Sequence, residues 1–377
     1  MNLPLKRRKP LHRRSKPSCS TKTYRPPTAV RPIYLPHFAE IGIAHFIMIK
    51  SPHRIAPAVA LIVAAIASTS SVAAEPKSFP TTGQVESFSP VVRPDASIEI
   101  LTTGMTWCEG PVWIGDNRSG HLLFSDIPRN TVYRWDETDG VSVFMRPSGY
   151  TGVAFYGREP GSNGLTLDRE GRLLLCEHGD RRISRLTRGG GKRTLVDSFD
   201  GKRLNSPNDL VVAEDGSIYF TDPIYGLPGG ETDPSRELDF CGVYCLDPSG
   251  DIRLITDKLH RPNGIGLSAD QTKLIVAQSD PSQPNWTVFN LANPNDAGTE
   301  IAVATDVGTL PGLPDGLCVS SDDIIYASAP GGITVMTFAG EILGRFFTGR
   351  NTSNCTLSPD QKTLYITAND TVLRVRL

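Results

Sequence analysis

The sequence lacks the signatures of several common enzyme classes. It contains no Gly-x-Ser-x-Gly elbow and no clear nucleophile triad, and the run Gly161-Ser162-Asn163-Gly164 does not have the elbow spacing. Covalent catalysis by a serine is therefore disfavoured. No helical periodicity separates the many short apolar runs, which are rich in β-branched and aromatic residues and end at turn residues. This pattern is typical of an all-β fold.

Cysteine is scarce, with seven in 377 residues and six of them after residue 74. An even number in an exported protein permits disulfides, but most of these residues lie in apolar runs, where a free thiol packs as a small hydrophobe. Cys241 and Cys245 lie four residues apart on one predicted strand, about 13 Å at the rise of a strand and too far to bridge. Their spacing alone is a weak zinc signal. We predict mostly free, buried thiols.

An excess of basic charge is absent from most of the chain. The sequence holds 39 Lys and Arg against 40 Asp and Glu, but twelve of the basic residues and one of the acidic residues lie in 1–74. Residues 75–377 therefore carry a net charge of −12. This charge argues against binding of nucleic acid by this part of the chain.

The N-terminal region has no apolar run long enough for a comfortable transmembrane span. Residues 48–54 are a short basic lead, residues 55–67 are apolar and rich in alanine, and small residues precede Glu75. This order predicts a signal peptide at 48–74 that is cleaved after Ala74. We therefore expect an exported protein, periplasmic or secreted, without stable membrane insertion; an uncleaved anchor is the alternative.

Two further segments flank the predicted signal peptide. Residues 1–47 carry ten Lys and Arg against one Glu, together with many prolines. We interpret them as a non-native upstream extension from a misassigned start, with Met48 as the first residue, or otherwise as a disordered basic arm. Residues 75–96 are polar and contain proline, so we predict a linker there.

The remaining sequence contains a sixfold repeat. Each unit starts with a polar residue at the head of an apolar run, followed by a turn and a second apolar run. The six polar residues, called the head residues below, are Glu109, Asn163, Asn208, Asn263, Asp315 and Asn354. A third predicted strand follows in every unit and a fourth in five units, because the chain ends at Leu377.

The repeat predicts a six-bladed β-propeller of four-stranded blades over residues 97–377. A spare strand-like run at 97–101 precedes the first unit and supplies the strand that the sixth unit lacks. Closure of the ring by this N-terminal strand removes an exposed sheet edge.

The propeller brings the head residues together. The first strand of each blade lines the central channel, so the head residues converge at one mouth. Glu109 and Asp315 are carboxylates and the other four are amides. Such hard oxygen donors suit a divalent cation, with Ca²⁺ first. Isolated turn caps would also place Asn and Asp here, but they explain Glu109 poorly.

The ends of the second strands point to the same mouth. They are Asp126, Glu177-His178, Asp222 and Gln278. His178 is a candidate general base or substrate contact, or a hydrogen-bonded structural group. Asp222 begins a long connection at 226–239 that is typical of a binding wall. Tyr225, directly before this connection, either stacks on a ring-shaped substrate or packs in the core.

Ordered motifs make the chain resemble a known family. They are Glu109-Gly110-Pro111, Asn205-Ser206-Pro207-Asn208-Asp209, Tyr219-Phe220-Thr221-Asp222-Pro223, Arg261-Pro262-Asn263-Gly264 and Pro314-Asp315-Gly316, with further motifs at 159–165 and 176–179. Over residues 98–377 the set resembles the gluconolactonase/regucalcin family, and above all its bacterial gluconolactonases. The resemblance implies a six-bladed propeller with a divalent metal in the channel.

The resemblance also implies roles for single residues. The metal ligands of the family fall on Glu109, Asn263 and Asp315, the general base falls on Asp315, and Asn208 is a further ligand or substrate contact. Regucalcin-type members carry an Arg at the position of Ser206, for which Arg203 or Asn205 is a candidate substitute. We assign substrate contacts to Asn163, His178, Asp222 and Tyr225.

The expected function is metal-dependent hydrolysis of a sugar lactone, such as glucono-1,5-lactone, to the aldonic acid. A channel cation, Ca²⁺ or otherwise Zn²⁺, Mn²⁺ or Mg²⁺, would polarise the carbonyl or activate water. Coordination lowers the basicity of Asp315, so Asp126, Asp209, Asp222 and His178 are alternative bases. The alternatives are hydrolysis of another lactone or ester, a non-catalytic binding propeller, and a metal-free strictosidine-synthase-like enzyme, which the two carboxylates disfavour.

Overall fold

The computed structural model describes residues 78–116, 119–293 and 295–377. The predicted upstream extension at 1–47 and signal peptide at 48–74 lie outside these ranges. The described residues form 28 β-strands and one short 3-10 helix, Gly230–Thr232. No helix in these ranges is long and apolar enough to cross a membrane.

Four blades consist of four consecutive antiparallel strands each. Blade 1 contains β4 to β7 and blade 2 contains β8 to β11, which are Cys108–Ile114, His121–Asp126, Thr131–Asp136, Gly140–Met145, Ser162–Leu167, Leu173–Glu177, Arg182–Leu186 and Lys192–Val196. Blade 3 contains β14 to β17 and blade 4 contains β18 to β21, which are Leu210–Val212, Ile218–Asp222, Gly242–Leu246, Ile252–Thr256, Pro262–Leu267, Lys273–Gln278, Asn285–Asn290 and Thr299–Val303. Between blades 2 and 3, β12 (Ser198–Phe199) and β13 (Lys202–Arg203) form a small hairpin.

Blades 5 and 6 each include a strand from the N-terminal part. Blade 5 contains Leu317–Val319, Ile324–Ala329, Gly332–Thr337 and Ile342–Phe347 (β22 to β25), and blade 6 contains Thr352–Leu357, Thr363–Ala368 and Thr371–Arg376 (β26 to β28). The outer strand of blade 6 is β3 (Ile98–Thr103), which pairs antiparallel with β28. The prediction of a six-bladed propeller closed by an N-terminal strand is therefore confirmed.

The segment predicted to be a linker instead forms two edge strands. Thr81–Thr82 (β1) pairs with β3 in blade 6, and Gln84–Ser87 (β2) pairs with β25 in blade 5. The chain crosses from one blade to the other at Gly83, whose φ is +70°, and a Cβ there would overlap with the carbonyl oxygen of Phe347. These strands are short and polar, so their alternation is too weak to predict them.

Six of the seven hydrophobic clusters among the described residues each lie between two neighbouring blades, and the seventh is a small cluster of Ile224, Leu227 and Cys241. Leu122 packs toward blade 6 while Leu123 packs toward blade 2. Tyr219 packs toward blade 4 and Phe220 toward blade 2. Successive side chains of a strand point to opposite faces of its sheet. The second strands are therefore covered on both faces, which is why they are continuous apolar runs in the sequence.

The cysteines agree with the prediction of free, mostly buried thiols. All six in the described ranges are free, and all except the half-buried Cys318 are buried. Cys318 and Cys355 lie on the first strands of neighbouring blades, with their Sγ atoms 3.6 Å apart. Their contact adds to the packing between blades 5 and 6.

Candidate active site

A cavity of about 370 Å³ lies where the head residues converge. Five of the six head residues line it: Glu109, Asn163, Asn208, Asn263 and Asp315. The sixth, Asn354, instead lines a second cavity of about 180 Å³ together with Asp209, and its Nδ2 donates to Asp209 Oδ2 at 3.2 Å. The structure thus brings together all four residues predicted to bind metal.

Glycines after the head residues allow the first strands to approach each other closely. A Cβ on Gly264 would overlap with the carbonyl oxygen of Asp315, and a Cβ on Gly164 would lie 2.7 Å from that of Asn208. The same two glycines donate their N–H groups to these oxygens, at 3.1 and 2.8 Å. These two glycines therefore allow close contact between neighbouring blades, in addition to any role in a turn.

Buried hydroxyl groups fix the backbone of the head region, and sequence reasoning missed them. Ser125 Oγ donates to the carbonyl of Asn163 and Thr221 Oγ1 to that of Asn263, each at 2.8 Å. Both hydroxyls come from the second strand of the preceding blade. The signal in the sequence is a Ser or Thr directly before the acidic residue that ends this strand, as in Ser125-Asp126 and Thr221-Asp222.

The polar ends of the second strands face away from the cavity. Asp126 accepts hydrogen bonds from the N–H groups of Thr106 and Trp107 at 3.0 and 3.2 Å. Asp222 accepts one from Asn205 N at 2.7 Å. Each carboxylate therefore holds the segment that leads into the first strand of its own blade. Neither lines the cavity, so the structure does not support a direct substrate contact for Asp222.

His178 is fully buried behind the cavity wall. Its Nε2 lies 3.4 Å from Asn163 Nδ2, and its Nδ1 lies 3.5 Å from Glu159 Oε2. The latter distance suits an ion pair, but Nδ1 makes no hydrogen bond. His178 therefore lies behind Asn163 and does not line the cavity itself.

Tyr225 lies where the sequence predicts a substrate contact. It lines the cavity on the wall formed by the connection after β15. Burial and the nearby charge of Asp315 raise the pKa of its hydroxyl, so this hydroxyl is a neutral hydrogen-bonding group at neutral pH.

Ser206 and the two candidate substitutes for the missing arginine, Asn205 and Arg203, form hydrogen bonds away from the cavity. Ser206 Oγ donates to Pro223 O at 2.6 Å, and the Asn205 amide donates to Asp222 O and Phe240 O at 3.1 and 2.9 Å. Arg203 is exposed and donates to Asp180 O at 2.8 Å. None of the three lines the cavity. Polar contacts to a substrate must therefore come from other residues that line the cavity, such as the amides of the head residues and the Tyr225 hydroxyl.

Further lining residues escaped prediction because they lie outside the repeated positions. They are Trp107, Ile127, Glu159, Ser279, Gly312, Leu313, Asn351 and Thr352. Trp107 and Ile127 flank the first and second strands of blade 1, and Leu313 precedes β22. They add apolar surface to an otherwise polar mouth.

The site concentrates buried carboxyl groups. Burial and the charges of Asp315 and Asp209 raise the pKa of Glu109 well above its usual range. Burial, followed by the charge of Asp209, has the same effect on Asp315. Protein atoms surround the Asp315 carboxyl group, but the residue is only half-buried because it lines the cavity. Burial also raises the pKa of Asp209 to about 7. Repulsion of this kind favours a cation beside Glu109 and Asp315, the two of these carboxylates that line the cavity.

Two buried oxygens at the site fit a cation. Asp315 Oδ1 and Asn163 Oδ1 have no hydrogen-bond partner among the described residues, and buried acceptors without a partner are costly. Across the ranges that the structure describes, no group of three or more His, Cys, Asp or Glu side chains is placed to hold a metal ion. A cation here would therefore need amide oxygens in addition to Glu109 and Asp315.

Replacement of Asp222 by Asn is expected to reduce the pH dependence of stability. Burial raises the pKa of Asp222 from 3.8 to about 7, so the folded state holds the proton more tightly than the unfolded state. Its contribution to stability is present below about pH 4 and is lost as the pH rises toward 7. In urea unfolding, the free energy of unfolding should fall less between pH 5 and pH 8 in Asp222→Asn than in the wild type. An equal fall in both would contradict this, and the exposed Asp251→Asn is the control.

Comparison with known proteins agrees with this geometry. The SMP-30/gluconolactonase/LRE-like region matches residues 107–370. The chain is 38% identical to a gluconolactonase of Zymomonas mobilis over 312 residues, which cover 78% of this chain and 86% of that protein. Its structure is similar to that of a gluconolactonase from Xanthomonas campestris, with a TM-score of 0.68, 31% identity, and coverage of 80% of this chain and 98% of that chain.

More distant structures share the fold. A calcium-binding regucalcin from Agrobacterium tumefaciens has a TM-score of 0.54 and 15% identity, with coverage of 73% of this chain and 92% of that chain. The matched region contains all the head residues and most of the propeller. The family resemblance predicted from the ordered motifs is confirmed, and the chain belongs to the SMP-30/gluconolactonase/LRE-like family.

Proposed function

We propose that the protein is a lactonase that hydrolyses a sugar lactone, such as glucono-1,5-lactone, to the aldonic acid with the help of a divalent cation. The observation that carries this proposal is the convergence of Glu109, Asn208, Asn263 and Asp315 on one cavity. The names of the relatives in Zymomonas mobilis and Xanthomonas campestris support the reaction class. Export, as expected from residues 48–74, would place the reaction in the periplasm or outside the cell.

The donor set supports a hard cation. Glu109, Asn208, Asn263 and Asp315 would hold it through carboxylate and amide oxygens, with Ca²⁺ as the first choice and Zn²⁺, Mn²⁺ or Mg²⁺ as alternatives. When bound, such an ion polarises a carbonyl group and lowers the pKa of bound water. The chain itself supplies the concentrated negative charge and the unpartnered Asp315 Oδ1.

The remaining walls suit a sugar ring. Trp107 and Tyr225 contribute aromatic side chains, Ile127 and Leu313 contribute aliphatic side chains, and the Asn163 amide can form a hydrogen bond with a hydroxyl group. The volume of about 370 Å³ lies at the lower end of small-molecule pockets. These features favour a monosaccharide lactone over a bulky ester.

A propeller that only binds a ligand is the alternative, as is a hydrolase of a different lactone. Buried carboxylates that face each other are costly unless a charge of opposite sign compensates them. A scaffold without chemistry gains nothing from placing Glu109 opposite Asp315. The electrostatics of the site therefore favour the enzyme.

The test is hydrolysis of glucono-1,5-lactone by the purified protein after chelation and after addition of Ca²⁺, Mn²⁺ or Zn²⁺. We expect a rate above spontaneous ring opening that disappears on chelation, returns with a cation, and is absent from Glu109→Gln. Activity that survives complete removal of metal would contradict the role of the cation. Metal binding without hydrolysis of any aldonolactone would contradict the proposed substrate class.

A further inference from the structure

The cavity contains a carboxylate that does not belong to the head residues. Glu159 lies in the connection between β7 and β8 and lines the cavity together with Glu109 and Asp315. Its side chain is 36% exposed, so it is open to solvent and to a ligand. Its charge also reaches Asp315, whose pKa it helps to raise. Glu159 is thus a partly exposed acid beside the proposed cation ligands.

The other candidate bases have partners that keep them from the substrate. Asp126 and Asp222 bind backbone N–H groups behind the wall. Asp209 accepts from Asn354 and from Leu210 N, and it lines the second cavity instead. As a cation ligand, Asp315 would have a lone pair engaged in coordination. Three of the described carboxylates line the active-site cavity. Glu109 and Asp315 belong to the proposed ligand set, so Glu159 is the one that remains as a base.

A buried imidazole lies directly behind Glu159. His178 Nδ1 is 3.5 Å from Glu159 Oε2, and no other group accepts or donates a hydrogen bond there. On the opposite side of the ring, Nε2 contacts the Asn163 amide at 3.4 Å. Gly226 closes the rear, because a Cβ there would lie 2.5 Å from His178 Cβ. The imidazole is therefore fixed in place and can orient both Glu159 and Asn163.

We propose that Glu159 is the general base of lactone hydrolysis and that His178 is the residue that positions it. This inference rests on the proposed function. Glu159 takes a proton from a water molecule as the water oxygen forms a bond to the lactone carbonyl carbon. The tetrahedral adduct then breaks its bond to the ring oxygen, and Glu159 returns the proton to that oxygen. The products are the carboxylic acid and the free hydroxyl group of the opened ring, and Glu159 regains its starting state.

The experiment compares Glu159→Gln, Glu159→Ala and His178→Asn with the wild type in the full chain, using glucono-1,5-lactone with saturating Ca²⁺. General base catalysis contributes about 10²–10⁴-fold, so we expect kcat of Glu159→Gln to fall by about 100-fold or more. KM should stay within about threefold, because the base adds little to substrate binding. Added formate should restore part of the activity of Glu159→Ala but should not accelerate the wild type. His178→Asn should lower kcat by roughly tenfold with a similarly small change in KM.

The controls separate this role from folding and from metal binding. Glu341→Gln, at an exposed turn before β25, should match the wild type. Each variant is also checked for thermal unfolding and for Ca²⁺ affinity by calorimetry. Glu159→Gln with kcat within threefold of the wild type, or with lost Ca²⁺ binding, would overturn the assignment. A wild type inactive on every aldonolactone would overturn the proposed function and this role with it, whereas an active wild type with an active Glu159→Gln would overturn this role alone.

Discussion

Asp315→Asn is expected to lower kcat/KM for the lactone by roughly 10³-fold, while the metal-free variant stays at least as stable as the wild type. Loss of a charged ligand removes several kcal/mol of charge stabilisation in the transition state, which corresponds to a rate loss of this order. Without a cation, however, Asp315 lies among Glu109 and Asp209 with raised carboxylate pKa values. Its replacement by an isosteric amide removes this repulsion.

The wild type and the variant should therefore differ in how strongly a cation stabilises them. Wild-type protein should gain about 2.7 kcal/mol of stability at a Ca²⁺ concentration of 100 times Kd, and the variant should gain much less. Thermal unfolding with and without Ca²⁺, beside lactone kinetics, measures both. Asp322→Asn, an exposed acid on the same blade, is the matched control. Activity within tenfold of the wild type, or an unchanged response to Ca²⁺, would remove Asp315 from the cation site.

The ring of head residues could be predicted because it follows from repetition alone. Six units with a polar residue at the same place must bring these residues together around the channel once the fold is a closed propeller, although Asn354 lines the second cavity. The proposed cation ligands Glu109, Asn208, Asn263 and Asp315 all lie on this ring. No knowledge of side-chain direction beyond the start of a strand is needed.

The ends of the second strands show where such reasoning stops. Ser125 and Asp126 are adjacent, so their side chains point to opposite faces, and the sequence does not give the register that decides which one contacts the next blade. Unpaired N–H groups in the segment at 106–107 attract Asp126, and Asn205 does the same for Asp222. Because a backbone N–H group inside the protein needs an acceptor, Asp126 and Asp222 bind these groups and do not line the cavity.

Glu159 was missed for a different reason. It lies in the connection at 146–161, which has no strand period and whose path depends on contacts with other loops. One such contact joins its carboxylate to His178. The run at 159–165 contributes to the family resemblance, yet only the folded chain shows that its first residue lines the active-site cavity.

Gly264→Ala is expected to destabilise the protein by about 3 kcal/mol, at the upper end of the usual cost of overpacking. A Cβ at this position would overlap with the carbonyl oxygen of Asp315, and Gly316 lies next to it. Both contacts are backbone atoms, which cannot rotate away as a side chain would. For a chain of this size the melting temperature should fall by roughly 5 °C. Urea unfolding and thermal unfolding measure the effect.

The same substitution should weaken catalysis, because the backbone of Asp315 must move to accept the methyl group. Gly189→Ala is the matched control: its backbone is also outside the left-handed region, and no atom lies within 4 Å of the added Cβ. That variant should be as stable as the wild type or slightly more stable, since alanine reduces the freedom of the unfolded chain. If Gly264→Ala and Gly189→Ala had the same stability, the close approach of the first strands of blades 4 and 5 would not exist in solution. The glycine that follows Asn263 would then serve the turn alone.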